Sequence, residues 1–490
     1  MTPRNVLIIM SDEHDPRHMG CSGSPIALTP NLDRLAARGV RFPNAYTPSP
    51  ICVPARAAFA TGRRVFETRH WDNASPYCGE SQGWGHVLQG RSIRVESVGK
   101  LHYRAEEDPA GFDVEHLPMH VAGGHGMVWA SIRDPYLKRD AASGARMFGD
   151  RIGRGESSYT AYDRSVTARA VDWLHAAAAR RDERPFVLYV GLVAPHFPLI
   201  APAHFYDLYA GMSLPEPKLH PGSGYLRHPW VQAYADFERN EENFASPQER
   251  HAAFVAYFGL TSFMDHHVGL LMQALASGGL IDNTVVVYTS DHGDNLGTRG
   301  VWGKSTLYQE SVSIPMILAG PGLLPGGVCE TAVDLLDLFP TILEAAGVDP
   351  EPEMHGRPGQ SLFTLAAAQL NTGRPIFSEY HAAGSNTAGF MLRKGRWKYH
   401  YYVRFPPELF DLEADPQELR DLALDPAYAD VLREMEAALR CIADPEAVDR
   451  QAKADQRALI ERFGGVDKAS HIGAKGATPA PSVAAMAQNP

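Results

Sequence analysis

Apolar residues fall along this chain in two rhythms. Residues 6–10 (VLIIM), 186–192 (FVLYVGL) and 284–288 (TVVVY) are short runs of branched and aromatic residues with no polar alternation. Such runs are expected of strands covered on both faces. Between them the spacing is helical. Residues 29–37 put Leu32, Leu35 and Ala36 on one face and meet Gly39 as a stop, 162–179 repeat the pattern, and a long helix over 251–276 ends at Gly278-Gly279. The alternation predicts an α/β fold, a large mostly parallel sheet flanked by helices.

The texture changes after residue 375. Residues 390–403 (FMLRKGRWKYHYYV) mix basic and apolar positions around Gly395, which predicts antiparallel strands with one solvated face. Residues 426–442 read as a helix with Pro426 at its start. The expected organisation is an α/β domain over 1–375, a smaller α+β subdomain over 376–464 and a tail over 465–490 rich in Ala, Pro, Gly and Ser. That tail is either flexible or a packing extension, free to reach a second copy in a homo-oligomer.

Length and charge narrow the field. The 490 residues suffice for a large core with an appendage. A net charge of -11 with no clustered Lys/Arg surface argues against nucleic-acid binding and confines any anion chemistry to a local pocket. The five cysteines are scattered, without a CxxC pair, and fit a reduced, cytoplasmic setting. The N-terminal run NVLIIM is too short for a signal core and reads as the first core strand, and no segment is apolar enough to span a membrane.

In open α/β sheets ligands bind beyond the carboxyl ends of the strands. The first strand delivers Ser11-Asp12-Glu13 there, VVVYT delivers Ser290-Asp291-His292, FVLYVGLVAP leads to His196, and VESVGKLH carries Lys100 and His102. Taken singly, each has a plainer explanation: Asp12 or Asp291 as a helix cap, His196 as a loop residue beside prolines, Lys100 and Lys304 as solvated surface. Their coincidence at one edge points to chemistry.

The stretch SPICVPARAAFATGR adds a thiol to that edge. Pro54 suits a first helical turn and Gly62 a stop, so Cys52 falls at a helix N-terminus with Arg56 about one turn inside. Free amides, the helix dipole and a cation together make a seat for sulfate or phosphate. Cys52 as a small buried apolar residue is the competing explanation.

The motif Cys52-Val53-Pro54-Ala55-Arg56 with Thr61-Gly62-Arg63 resembles the signature of type I sulfatases, in the alkaline phosphatase superfamily. The resemblance extends to NVLIIMSDE, TPNLDRLAARGVRF, Gly99-Lys100-Leu101-His102, Ala194-Pro195-His196-Phe197-Pro198, residues 289–293, Gly303-Lys304, MLRKGRWKYHYY and ELFDLEADPQELRDLA, and so covers the chain to about residue 425. It implies that Cys52 is converted to formylglycine by a formylglycine-generating enzyme. It further implies that Asp12, Asp291, His292 and the residue at 52, with Glu13 as ligand or neighbour, hold one divalent cation. Arg56 would steady the aldehyde hydrate, Lys100 and Lys304 would bind sulfate oxygens, His102 would act as base on the hydrate and His196 as acid for the departing alcohol.

The implied reaction is hydrolysis of a small sulfate monoester, in which the metal and lysines stabilise charge and a hydrate hydroxyl attacks. Asp12-Glu13 and Asp291-His292 depart from the Asp-Asp and Asp-Asn pairs of many members. The resemblance implies one divalent ion, Ca2+ or Mn2+; the imidazole suits manganese or zinc better than the all-oxygen shell that calcium prefers. Asp291-His292 also suits a phosphonate monoester or phosphodiester hydrolase on the same scaffold; Lys100 with His102 favours sulfate. Candidates for contacts to the alcohol half are Asp72 in HWDNASPY, Trp302 beside Lys304, and His381 in YHAAGS. Aromatic faces with Asp72 would suit a cationic group.

Overall fold

The computed structural model describes residues 4–133, 148, 151–180, 184–368, 373–474 and 476–481. Its centre is an eight-stranded sheet built from β1 (Asn5–Asp12), β2 (Gly39–Arg41), β3 (Arg94–Lys100), β4 (Val114–Met119), β5 (Phe186–Pro195), β6 (Thr284–Ser290), β7 (Met316–Ala319) and β8 (Gly327–Val328). The spatial order is β8-β2-β7-β6-β1-β5-β3-β4, parallel throughout except that β7 runs against both neighbours. The apolar runs of the sequence are the middle strands of this sheet.

β1 shows why those runs lack alternation. Val6, Ile8 and Met10 enter the core on one face, against α2 (Cys52–Thr61) and α5 (Leu338–Ala345). Leu7 and Ile9 enter the opposite core, against α1 (Pro30–Ala37), α3 (Ser158–Arg180) and α4 (Pro247–Ser277). With both faces dry, every position along the strand is selected for apolar contact. The long helix α4 begins about one turn before its sequence-based start, where the Ser246 hydroxyl accepts the Glu249 amide and Pro247 fills the first helical position.

A second sheet is antiparallel, in the order β9 (Ile376–Tyr380), β10 (Gly389–Lys394), β11 (Trp397–Tyr402) and β12 (Glu408–Asp411). The hairpin around Gly395 is present as the sequence predicts, but the expected solvated face is not. Met391, Tyr402 and Phe410 pack with Trp230 and Tyr308, while Phe390, Leu392, Tyr399 and Leu409 pack on Met435 and Leu439 of α6 (Ala429–Arg440). Lys398 and His400, which read as solvent-facing, are instead buried beside Glu418 and Glu408. Ion pairing allows such a strand to be covered on both sides. The chain continues through α7 (Pro445–Arg462) into the C-terminal tail. Among the described residues no helix is long and apolar enough to cross a membrane.

Candidate active site

The carboxyl edge of the large sheet is where the functional side chains meet. β1 and β6 are adjacent and in register, Ser11 opposite Ser290, so Asp12 and Asp291 leave the sheet side by side. β5 lies on the other side of β1 and leads to His196; β3 lies beyond it and ends at Lys100. Gly99 lets these two strands approach: it has φ 98°, and a Cβ there would stand 2.3 Å from the Gly191 carbonyl oxygen. α2 begins at Cys52, with the Val53 amide donating to Asn73 Oδ1 and Gly62 in the left-handed conformation closing its end. Glu13, His102 and Ser305 take positive φ without being glycine, a clustering of backbone strain typical of functional sites.

Ligand atoms of Asp12, Cys52, Asp291 and His292 lie within 4.8 Å of one another, and the same holds for Asp12, Glu13 and His196. All six residues are at most 5% exposed. His292 Nδ1 donates to the Gly293 carbonyl at 3.0 Å, leaving Nε2 to face Cys52 Sγ at 3.2 Å and oxygens of Asp12 and Asp291 at 3.7 Å. Both Glu13 carboxylate oxygens are buried without a hydrogen bond. Burial, with Asp294 and Asp12 nearby, pushes its pKa well above the usual carboxylate range despite Lys304 and His292. Two carboxylates, a thiol and an imidazole nitrogen converging in a dry pocket fit a divalent cation, and the orphaned Glu13 oxygens fit the place of a further ligand.

Three cations surround this cluster. Arg56 donates through Nε to Asp291 at 2.8 Å, through Nη2 to Asp12 at 3.3 Å, and through Nη1 to the Lys100 carbonyl and Tyr189 hydroxyl, both at 2.9 Å. Its bonds therefore go to the carboxylates rather than to position 52, where the resemblance placed its effect. Lys100 pairs with Asp12. Lys304 Nζ lies 3.4 Å from Cys52 Sγ, 2.7 Å from His196 Nε2 and 3.6 Å from Glu13. Burial alone would raise the Asp12 pKa, but Lys100, His196, Lys304 and Arg56 hold it well below the carboxylate range.

Two further pocket histidines, His196 and His102, are biased toward the neutral form. Burial and neighbouring cations, Lys304 for His196 and Lys100 for His102, push both well below the ordinary imidazole range. His196 Nδ1 donates to the Phe197 carbonyl at 2.6 Å, so its Nε2 accepts the Lys304 ammonium proton. His102 turns its Nε2 to the hydroxyl of Thr478, at 2.9 Å.

The three residues expected to touch the alcohol half are engaged elsewhere. Trp302 is fully buried among Phe148, Phe244 and Phe254, with its indole N–H on Glu241. Asp72 accepts from Ser131 and Gln456. His381 pairs with Glu379 at 2.8 Å and packs on Trp71. Their aromatic and acidic character serves packing between loops, which local sequence does not distinguish from ligand contact. Asn73, Tyr189, Tyr159 and Thr478 were not anticipated; Asn73 alone had a signal, its place in the HWDNASPY stretch.

The Glu379–His381 pair yields a stability prediction. Burial raises Glu379 to about 8, against the amides of Phe66 and Val65, and burial with Arg133 lowers His381 to about 3. Folded Glu379 keeps a proton that the unfolded chain releases above its ordinary pKa, so its contribution falls as pH rises to about 8. His381 acts oppositely, adding stability from about pH 3 up to its ordinary value near 6.5. The two offset each other at mildly acid pH, and the Glu379 loss stands alone from about 6.5 to 8. Glu379→Gln, which keeps a donor for His381, should remove that loss. Denaturant titrations across this pH range check it, and equal slopes in both proteins would refute it.

A mostly parallel sheet whose rim gathers a buried acid and imidazole cluster able to hold a metal ion, a helix-terminal cysteine and two lysines is the arrangement of a hydrolase of anionic esters. A sulfatase family model matches residues 4–348, and one for the C-terminal region of N-sulphoglucosamine sulphohydrolase matches 297–444. The chain belongs to the sulfatase family and is a sulfuric ester hydrolase. It is 32% identical to a choline-sulfatase of Rhizobium meliloti (strain 1021), over 92% of this chain and 89% of the relative. Arylsulfatase K of Danio rerio is 30% identical, over 91% and 85%. In fold it resembles a phosphonate monoester hydrolase from Silicibacter pomeroyi, with TM-score 0.70, 24% identity and coverage of 89% and 94%. It equally resembles BT4656, whose structure holds its substrate D-glucosamine-2-N,6-O-disulfate, with TM-score 0.70, 23% identity and coverage of 93% and 99%. Members of the family generally use a metal ion and formylglycine.

Proposed function

We propose that this sulfatase hydrolyses small sulfate monoesters, with Cys52 matured to formylglycine by a generating enzyme and one manganese or calcium ion held by Asp12, Glu13, Asp291 and His292. The observation that carries the reading is the convergence of Cys52 Sγ with the ligand atoms of Asp12, Asp291 and His292. The sulfur marks where the oxygens of the matured residue would stand. When present, the cation and the hydrated aldehyde supply a Lewis acid and an oxygen nucleophile.

The remaining work falls to the chain's own side chains. Lys100 and Lys304 carry fixed positive charge at a water-excluded rim, where they neutralise the sulfate oxygens. Arg56 locks both aspartates in one orientation. Because His196 Nδ1 donates to the Phe197 carbonyl and its Nε2 accepts from Lys304, the proton for the departing alkoxide is shared by the His196–Lys304 pair. His102, biased toward the neutral form, is poised as a base. The five cysteines are all unpaired, which supports the reading of a cytoplasmic protein.

Turnover of an aryl sulfate and the matching aryl phosphonate, on protein loaded with manganese or calcium, tests the assignment. Sulfate is expected to be preferred; faster phosphonate hydrolysis would make the chain a phosphonate hydrolase in practice. Across esters of increasing leaving-group pKa, His196→Ala should lose about 10²-fold or more on poor leaving groups and far less on good ones. A uniform loss would exclude a proton-transfer role.

A further inference from the structure

The C-terminal tail crosses the catalytic pocket. The Trp129 amide donates to the Ile472 carbonyl at 3.2 Å, and its indole N–H to the Ala474 carbonyl at 2.8 Å. Gly473 lies so close to the Gly126–Met127 backbone that a Cβ would stand 2.5 Å from the Gly126 oxygen. Beyond these anchors, Ala477 and Ala480 rest on core residues, and Thr478 enters the site. Its hydroxyl meets His102 Nε2 at 2.9 Å, and its carbonyl accepts the Tyr159 hydroxyl. The Tyr159 ring in turn stands edge-on to His196, centroids 5.9 Å apart. One tail residue therefore contacts His102 directly and His196 through Tyr159.

This contact explains how the rim is kept dry. With the tail in place His102, Tyr159, His196 and Thr478 are each at most 6% exposed. An ester entering here has to fit its alcohol half beneath the tail or displace it. The segment is poor in large apolar side chains: after Ile472 the described residues are glycine, alanine, threonine and proline. So little buried apolar surface gives a low opening free energy.

Resting on the sulfatase reading, we propose that the described tail residues, 472–474 and 476–481, are a cap that restricts the alcohol half to compact groups, and that Thr478 is a positioning residue for His102. The hydroxyl fixes the imidazole plane, the carbonyl fixes Tyr159, and the backbone between them forms the wall that the alcohol meets. This makes the tail an intramolecular specificity element.

The test compares a compact alkyl sulfate with a bulky aryl sulfate on the full-length, matured protein and on a chain ending at Ser470. Truncation is expected to shift the ratio of kcat/KM values by about tenfold or more toward the bulky ester. If the shortened chain does not fold, Thr478→Ala and Thr478→Ser in the full chain decide. Alanine should lower kcat with little change in KM, serine should restore it, and a purely structural role would not produce that recovery. Hydrogen exchange supplies a readout independent of turnover: inorganic sulfate should slow exchange in peptides over 472–481 and around Tyr159. A full-length protein that hydrolyses no sulfate ester overturns the sulfatase reading, and the exchange result then decides the cap. Unchanged ester ratios with equal rates for the alanine and serine variants, or exchange indifferent to sulfate, overturn the cap itself.

Discussion

Cys52→Ala is expected to lower sulfate ester turnover by at least about 10³-fold while leaving the fold intact. The side chain stands at the first position of α2, 3.2 Å from His292 Nε2 and 3.4 Å from the Lys304 ammonium, within the group formed by Asp12, Asp291 and His292. As an unmodified thiol it would be a poor one: burial and Asp12, against Lys304 and Lys100, push its pKa up to about 11. Such a thiol is mostly protonated at neutral pH, so the residue is better suited to conversion than to direct attack. Stability should change by about 1 kcal/mol or less, since only a small side chain is trimmed. Mass spectrometry of the tryptic peptide over residues 42–56 completes the test, because the aldehyde replaces sulfur and two hydrogens with one oxygen. A variant retaining most of the activity, or an active wild type carrying only thiol, would remove position 52 from the chemistry.

Arg56→Leu should be the most destabilising single change at the site, by about 3–5 kcal/mol. The guanidinium is 1% exposed and touches Asp12 and Asp291, both fully buried, together with the Lys100 carbonyl and the Tyr189 hydroxyl. Its removal leaves two carboxylates short of a shared counterion, takes the donor from the Tyr189 hydroxyl and leaves the Lys100 carbonyl with only the Tyr189 hydroxyl as a side-chain donor. Arg56→Lys should recover only a minority of the loss, because a point charge cannot make four bonds in a fixed plane. Added manganese should restore part of the Leu variant's stability, since it supplies positive charge to the same carboxylates. Melting temperatures with and without metal check both statements. A loss below about 1 kcal/mol would mean that water or a rearranged lysine already satisfies the pair.

These two residues are also where sequence and structure diverge in an instructive way. The spacing from Cys52 to Arg56 gives one helical turn, and from it the thiol at the helix entrance follows. What Arg56 holds does not follow, because its partners lie 44 and 235 residues away in the chain. The same limit explains Trp302, His381 and Asp72. Each has the chemistry of a ligand contact, and each is instead engaged by residues distant in the chain: Glu241, Trp71 and Gln456 respectively. Thr478 is the converse case, an unremarkable residue in a low-complexity tail that acquires a role only because the tail crosses the rim.

The sequence by itself determined the parallel sheet, through unbroken apolar runs that only strands covered on both faces tolerate, and the set of acids, histidines and lysines sent to one edge. It also determined the helix that presents Cys52, because proline, alanine and glycine at those positions act within a single turn. Tertiary structure alone decided which charges pair, how each imidazole is oriented, which aromatic residues are merely packing, and what closes the pocket. Backbone preference is set by near neighbours, whereas the state of a buried ionisable group depends on whatever the fold brings within a few ångströms of it.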